Sequence, residues 1–336
     1  MLQKKTIINK ANSNYHRISG EDLFKKDGIS FKEYRKKWRK WPEEFYVGAF
    51  PLFVDIEVTS ACNLQCPFCA TTFREKEISK GFMPSDIVKK IIDEGADNNL
   101  YGVKFNIRGE PLLHPQIHEF VKYAKKKGLI DVYFNTNAAL LTEDISRRLI
   151  DAGLDRISIS FEGYTKDVYD RYRVGAKYEE VLSNIENMQA LKEKLGAGYP
   201  KIRVQTVMFE DLKTGLDEYK KFWSDRVDEV GFLDYKEMKE KRKGVKYPWA
   251  CPQLWQRMGV WCDGTILPCN HDDGGLLNLG NVKQVTIKAA WHSEELNRIR
   301  VAHVEGRAEE ISACDGCYLR DSEILKLKKK EDLYGK

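Results

Sequence analysis

Between residues 52 and 235, short β-branched and apolar stretches alternate with longer amphipathic ones, and that alternation admits few folds. LFVDIEVT (52–59), GVKFNIRG (102–109), DVYFNTN (131–137), DRISISFEG (155–163), IRVQTVMF (202–209) and EVGFLDY (229–235) read as strands. PSDIVKKIIDEGADN (84–98), PQIHEFVKYAKKKG (115–128), TEDISRRLIDAG (142–153), YEEVLSNIENMQALKEKLG (178–196) and LDEYKKFWSDRV (216–227) read as helices. Thr142 is placed to cap its helix and Gly153 to stop it. Val181, Leu182, Ile185, Met188 and Leu195 share one helical face. Repeated βα units predict a parallel α/β sheet with right-handed crossovers. The pattern admits an open doubly wound sheet or a partial barrel. In either, chemistry collects at the carboxyl ends of the strands.

The flanks differ. ISFKEYRKKWRKWPEEF, within residues 1–50, is basic and aromatic, and Pro42 should interrupt a helix there. It reads as an amphipathic helix on the domain edge or as a substrate or partner contact. After residue 236 a charged linker, KEMKEKRKGVKYP, leads into short apolar pieces, glycine turns and five cysteines. That segment is too poor in apolar residues for a large core, so a metal centre is expected to organise it. KLKKKED near the end reads as a solvated tail. The expected divisions are 1–50, 51–236, 237–325 and 326–336.

The 336 residues are 42% hydrophobic and 32% charged, as in ordinary soluble proteins. A net charge of +5 does not imply nucleic acid. The first residues lack an apolar signal-peptide core, and no apolar run approaches the roughly 18 residues of a spanning helix. The expected location is cytoplasmic. There, eight cysteines are metal ligands or reactive thiols rather than disulfides.

Three of them, Cys62, Cys66 and Cys69, follow the first strand as C-x3-C-x2-C. Zinc sites usually close with four ligands, and here the fourth is missing locally. CNLQCPFC, with Phe68 before the last cysteine, resembles the signature of the radical S-adenosylmethionine (SAM) superfamily. That resemblance implies a partial (β/α)6 TIM-type barrel. It also implies a [4Fe–4S] cluster on the three cysteines, with SAM on the open iron. Reductive cleavage of SAM would give a 5′-deoxyadenosyl radical able to take hydrogen from an unactivated C–H bond. RGEP (108–111) resembles the family's motif, in which the glutamate holds the SAM ammonium. This implicates Gly109 and Glu110, with Arg108 a possible substrate contact. By the same resemblance Asn135 and Ser160 meet the ribose and Arg173 the SAM carboxylate.

Cys251, Cys269, Cys314 and Cys317 form the second set, with intervals of 17, 44 and 2 residues. Zinc remains open on spacing alone. Their order resembles the SPASM/Twitch extension of radical SAM enzymes, similar to the 2-deoxy-scyllo-inosamine dehydrogenase type. That implies a small C-terminal domain with an auxiliary [4Fe–4S] cluster able to take an electron. Cys262 is left over, as inert packing or as a hydrogen-atom donor. Asp272 is a turn residue, or a base or substrate contact. The implied function is dehydrogenation or epimerisation of a hydroxylated small molecule (sugar, aminocyclitol or nucleotide-sugar), fed by an external donor such as flavodoxin or ferredoxin. The alternative is maturation of a ribosomal peptide or of a protein or cofactor partner. A tRNA-modifying role is less favoured, because no appended RNA-binding domain is evident.

Overall fold

The computed structural model describes residues 7–8, 15–20, 28–78, 80–235 and 246–334, with side chains between residues 16 and 328 of those ranges. Its strands are β1 (Ile7–Ile8), β2 (Tyr15–Gly20), β3 (Phe53–Ile56), β4 (Gly102–Lys104), β5 (Asp131–Thr136), β6 (Arg156–Ser160), β7 (Lys201–Met208), β8 (Glu229–Asp234), β9 (Trp249–Ala250), β10 (Arg257–Val260) and β11 (Ile266–Leu267). One sheet runs β11-β10-β3-β4-β5-β6-β7-β8-β2 and is not closed. All pairs from β10 to β8 are parallel, and β2 and β11 add antiparallel edges. β1 and β9 form a separate parallel pair.

The six expected strands are β3 to β8. Helices Ser85–Asp97, Ile117–Lys126, Glu143–Asp151, Tyr178–Lys194 and Leu216–Trp223 stand where periodicity put them. Thr142 Oγ1 accepts the Ile145 N–H at 3.3 Å, and Gly153 takes φ +82° as the chain leaves the helix. The sheet exceeds the expected barrel segment. β2 comes from the first fifty residues and β10 and β11 from the cysteine-rich part. Such short edge strands leave too little alternation to read.

Residue alternation splits the sheet chemically. One face carries Val54, Val103, Val132, Phe134, Ile157, Ile159, Ile202, Val204 and Val230, all fully buried. The other carries charges in register: Asp55 beside Lys104, Lys104 beside Tyr133, Tyr133 beside Arg156. Asp55 binds Lys104 and Arg257, each at 3.1 Å, and Arg156 holds Asp131 at 2.8 Å while lying 3.8 Å over the Tyr133 ring. Nearer the carboxyl ends the same face carries Glu57, Asn106, Asn135, Ser158, Ser160 and Gln205.

The N-terminal helix Ile29–Glu43 includes Pro42 and ends one residue after it. Phe31, Tyr34 and Trp38 form its buried stripe. Trp38 meets Phe53 edge-on at 6.1 Å, Tyr34 stacks on Tyr101 at 5.1 Å, and Gln256 Nε2 donates to the Trp38 carbonyl at 2.6 Å. Phe53, Tyr101 and Gln256 begin or precede β3, β4 and β10, so this helix covers the amino ends of those strands. Of the linker expected at 236–248, residues 236–245 lie outside the described residues. The segment expected as a solvated tail is instead the end of helix Tyr318–Tyr334. Buried Ile324 anchors that helix, and Lys326 reaches Asp234 at 3.2 Å.

Candidate active site

β3 delivers the chain to its carboxyl end, where the loop with Cys62, Cys66 and Cys69 begins. The loop is pinned from outside: Gln65 N–H donates to the Val174 carbonyl at 2.8 Å, and Glu110 N–H to the Ala61 carbonyl at 2.8 Å. Gly109 makes the second contact possible. It has φ +70°, and a Cβ there would lie 2.4 Å from the Thr59 carbonyl oxygen.

The three thiols open on a cavity of about 160 Å³ that Gly109, Glu110, Asn135, Ser160 and Arg173 also line. The structure thus brings together residues spread over more than a hundred positions. Glu110 is buried, and its carboxylate accepts from Thr136 Oγ1 (2.7 Å), Leu112 N–H (3.0 Å) and Asn137 N–H (2.7 Å). Burial raises its pKa, an effect these bonds only partly offset. Arg173 forks onto Glu162 (Nη2 to Oε1, 2.8 Å), and its Nη1 lies 3.7 Å from Cys66 Sγ. Burial pushes the Cys66 thiol up to about 11 despite Arg173. Phe68 stands outside the lining, with the Arg173 guanidinium 5.5 Å from its ring.

Arg108 points elsewhere. It forks onto the fully buried Glu57 at 2.7 and 2.8 Å and lies 3.7 Å over the Trp261 ring. Glu57 also accepts the Cys262 N–H at 3.3 Å, while Cys262 Sγ donates to Ser60 Oγ at 3.3 Å. The carboxylate oxygens of Asp272 accept Leu276 N–H (3.0 Å) and Leu277 N–H (2.7 Å), which gives Asp272 a turn-capping role.

The second set gathers from three places: Cys251 after β9, Cys269 after β11, and Cys314 and Cys317 before the last helix. Burial pushes Cys269 up to about 12, with the Cys317 charge adding to it. Burial raises Cys314 too, and Cys269, Cys317 and Cys251 act on it together. His303 is fully buried beside them, and burial, with Arg320 nearby, lowers it to about 3.

Residues 56–212 match the Radical SAM superfamily, and residues 251–318 match the SPASM iron–sulfur cluster-binding domain. The chain carries a radical SAM domain followed by a SPASM domain. It is 32% identical over 131 residues to a probable GTP 3′,8-cyclase of Methanococcus maripaludis, covering 39% of this chain and 43% of the relative. It is 37% identical over 138 residues to a PqqA peptide cyclase of Bradyrhizobium diazoefficiens, covering 40% and 34%. The matches thus span less than half of these relatives. The solved structure of BtrN in complex with AdoMet and 2-DOIA shares the fold, with TM-score 0.54 and 18% identity over 81% of this chain and 94% of that one.

The two domains imply a SAM-binding [4Fe–4S] cluster, auxiliary iron–sulfur ligation and SAM itself. The residues fit them. At the radical SAM site three thiols face one cavity, with nitrogen donors of Asn137 and Arg173 at 3.9 and 3.7 Å from Cys62 and Cys66 sulfur. The SPASM site offers four thiols. Among the described residues no three His, Cys, Asp or Glu groups come within range of one shared ion. A cluster spreads its thiolates over several irons, so its ligands need no such approach.

Sequence reasoning missed Asn106, Thr136 and Asn137, which also line the cavity, and Glu57. Asn137 stood in the same NTNA stretch as Asn135, and strand alternation puts both on the inner face. Glu57 shares the parity of Asp55, but its partner Arg108 is 51 residues away.

Proposed function

We propose that this protein is a radical SAM oxidoreductase or epimerase acting on a hydroxylated small molecule, a sugar, aminocyclitol or nucleotide-sugar. The observation that carries this reading is that the polar inner face continues past the residues read for SAM: Asn106 lines the same cavity, and Ser158 and Gln205 stand in register with Asn135 and Ser160. Hydroxyl groups need donors and acceptors there, and an apolar wall would leave them unpaired. When bound, the clusters and SAM supply electrons and a 5′-deoxyadenosyl radical that abstracts hydrogen.

The chain's own residues bind and orient. Glu110 Oε2 accepts one bond from the protein and keeps acceptor capacity for the SAM ammonium. Arg173, fixed by Glu162, brings positive charge toward the SAM carboxylate and Cys66. Burial, helped by the Glu57 charge, raises the Cys262 pKa and keeps an S–H bond in place. A hydrogen-atom donor needs that bond, and Cys262 is the residue assigned the role. Arg108, held between Glu57 and Trp261, fixes the Cys262 loop against the radical SAM domain. The proposed reductant is a flavodoxin- or ferredoxin-class protein, and the proposed setting is a reducing cytoplasm.

The test is anaerobic turnover of a panel of sugars and aminocyclitols in deuterated water, with 5′-deoxyadenosine as the readout. Epimerisation places one deuterium at carbon in the product, and Cys262→Ala abolishes that. Dehydrogenation gives a product two hydrogens lighter. Turnover stimulated only by peptides overturns the small-molecule reading.

A peptide substrate is the second reading. The likeness to a PqqA peptide cyclase supports it, as does a cavity of about 580 Å³ at the carboxyl ends of β7 and β8. Phe209, Tyr172 and Tyr235 line that cavity, with Tyr172 and Phe209 stacked at 4.2 Å, a wall suited to an apolar or aromatic side chain.

A further inference from the structure

His303 lies in helix Glu294–Val304, fully buried and outside the set of seven cysteine ligands. Its two ring nitrogens face two different ligand residues. The backbone N–H of Cys251 points at Nδ1, 3.2 Å away. A backbone N–H can only donate, so Nδ1 must be the unprotonated nitrogen. The ring proton of the neutral imidazole then sits on Nε2. Nε2 is 3.3 Å from Cys314 Sγ. The same ring therefore orders the Cys251 backbone and aims an N–H at the sulfur of Cys314.

We propose that His303 is a positioning residue for the auxiliary cluster, donating its Nε2–H to the Cys314 thiolate and so raising the cluster's reduction potential. Adding an electron makes the cluster more negative. A hydrogen bond to a ligand sulfur stabilises that reduced form more than the oxidised one. The effect makes the auxiliary cluster a readier electron acceptor, which oxidation of a substrate radical requires. This inference rests on the four SPASM cysteines holding an iron–sulfur cluster. Arg320 also brings positive charge near Cys314, but it is unchanged in the variants below, so its contribution cancels.

The experiment uses the full chain with Cys62, Cys66 and Cys69 replaced by alanine, reconstituted anaerobically, so that only the auxiliary cluster is present. About four irons per chain shows that it has loaded. Absence of iron overturns the cluster assignment itself, separately from the role of His303. Potentiometric titration followed by electron paramagnetic resonance then compares His303 with His303→Leu and His303→Gln. The leucine variant should show at least a tenfold smaller ratio of reduced to oxidised cluster at a fixed potential, a midpoint lower by about 59 mV for a one-electron couple. The glutamine variant, whose amide can accept from Cys251 and donate to Cys314, should recover most of that shift. A fully loaded leucine variant with an unchanged midpoint overturns the proposal.

Should the leucine variant not load, the protein with His303 intact decides, using nitrogen-15 histidine and electron–nuclear double resonance. The expected result is a weak nitrogen coupling together with a proton coupling that vanishes in deuterated water. Absence of both overturns the proposal, as does a strong nitrogen coupling, which would make His303 an iron ligand.

Discussion

The two cysteine sets are built in opposite ways. The first lies within eight residues of one loop, and two of its thiols are half-buried on a cavity. Side chains from elsewhere in the fold, such as Asn137 just past β5 and Arg173 at the end of helix Lys166–Tyr172, come to it. The second collects four cysteines from three places, and each of those thiols depends on the tertiary fold for its position. A local loop leaves room for an exchangeable ligand. A set assembled by folding makes a closed centre and ties down a segment with little core of its own.

The largest test of this contrast removes each set in turn. Replacing Cys62, Cys66 and Cys69 by alanine should abolish 5′-deoxyadenosine formation and lower iron from about eight to about four per chain, with the fold kept. Replacing Cys251, Cys269, Cys314 and Cys317 should also remove about four irons, and should in addition loosen residues 246–320 in hydrogen exchange. Equal loosening by both variants would break the comparison.

Arg173→Ala comes next. It strands the buried Glu162, which should cost about 3–5 kcal/mol of stability, and it should weaken SAM binding by calorimetry. Unchanged stability would mean that the pair is not sealed from water.

Alkaline stability sharpens the contrast further. In the metal-free protein Cys66 lies at about 11 and Cys269 at about 12, against an ordinary 9.0. Above pH 9 the unfolded chain has lost protons that the folded chain keeps, so stability should fall as pH climbs from 9 through those values. Thermal melts of metal-free protein between about pH 8 and about pH 10 measure the fall. Serine at the four SPASM positions should flatten it more than serine at the first three, since the thiols of Cys251, Cys269 and Cys314 are raised there, against Cys62 and Cys66 in the first set.

The smallest effect is Trp261→Leu. It removes the ring under Arg108 and should cost about 0.5–2 kcal/mol, seen as a drop of a few degrees in Tm. Loss of the proposed hydrogen-atom donation by Cys262 in that variant, with SAM cleavage intact, would support the proposal that Arg108 fixes the SPASM loop.

The sheet was legible wherever alternation ran long. RISIS and KIRVQTVM announce one apolar and one polar face, and β6 and β7 have them. Two-residue β11 and bulged β2 carry no such signal, so the joining of all three chain segments in one sheet was not. The cluster loop was legible because its spacing is local. The Glu57–Arg108–Trp261 stack was not, because each partner is an ordinary residue until the fold brings it together. Asp272 shows the reverse: a carboxylate beside a cysteine suggests chemistry, yet both of its oxygens serve backbone groups.

The helix Ile29–Glu43 stoppers the amino end of the strands with Phe31, Tyr34 and Trp38, above a floor of paired charges. That packing covers the amino ends of β3, β4 and β10. The polar face is left open at the other end, where the cavity beside Cys62, Cys66 and Cys69 lies.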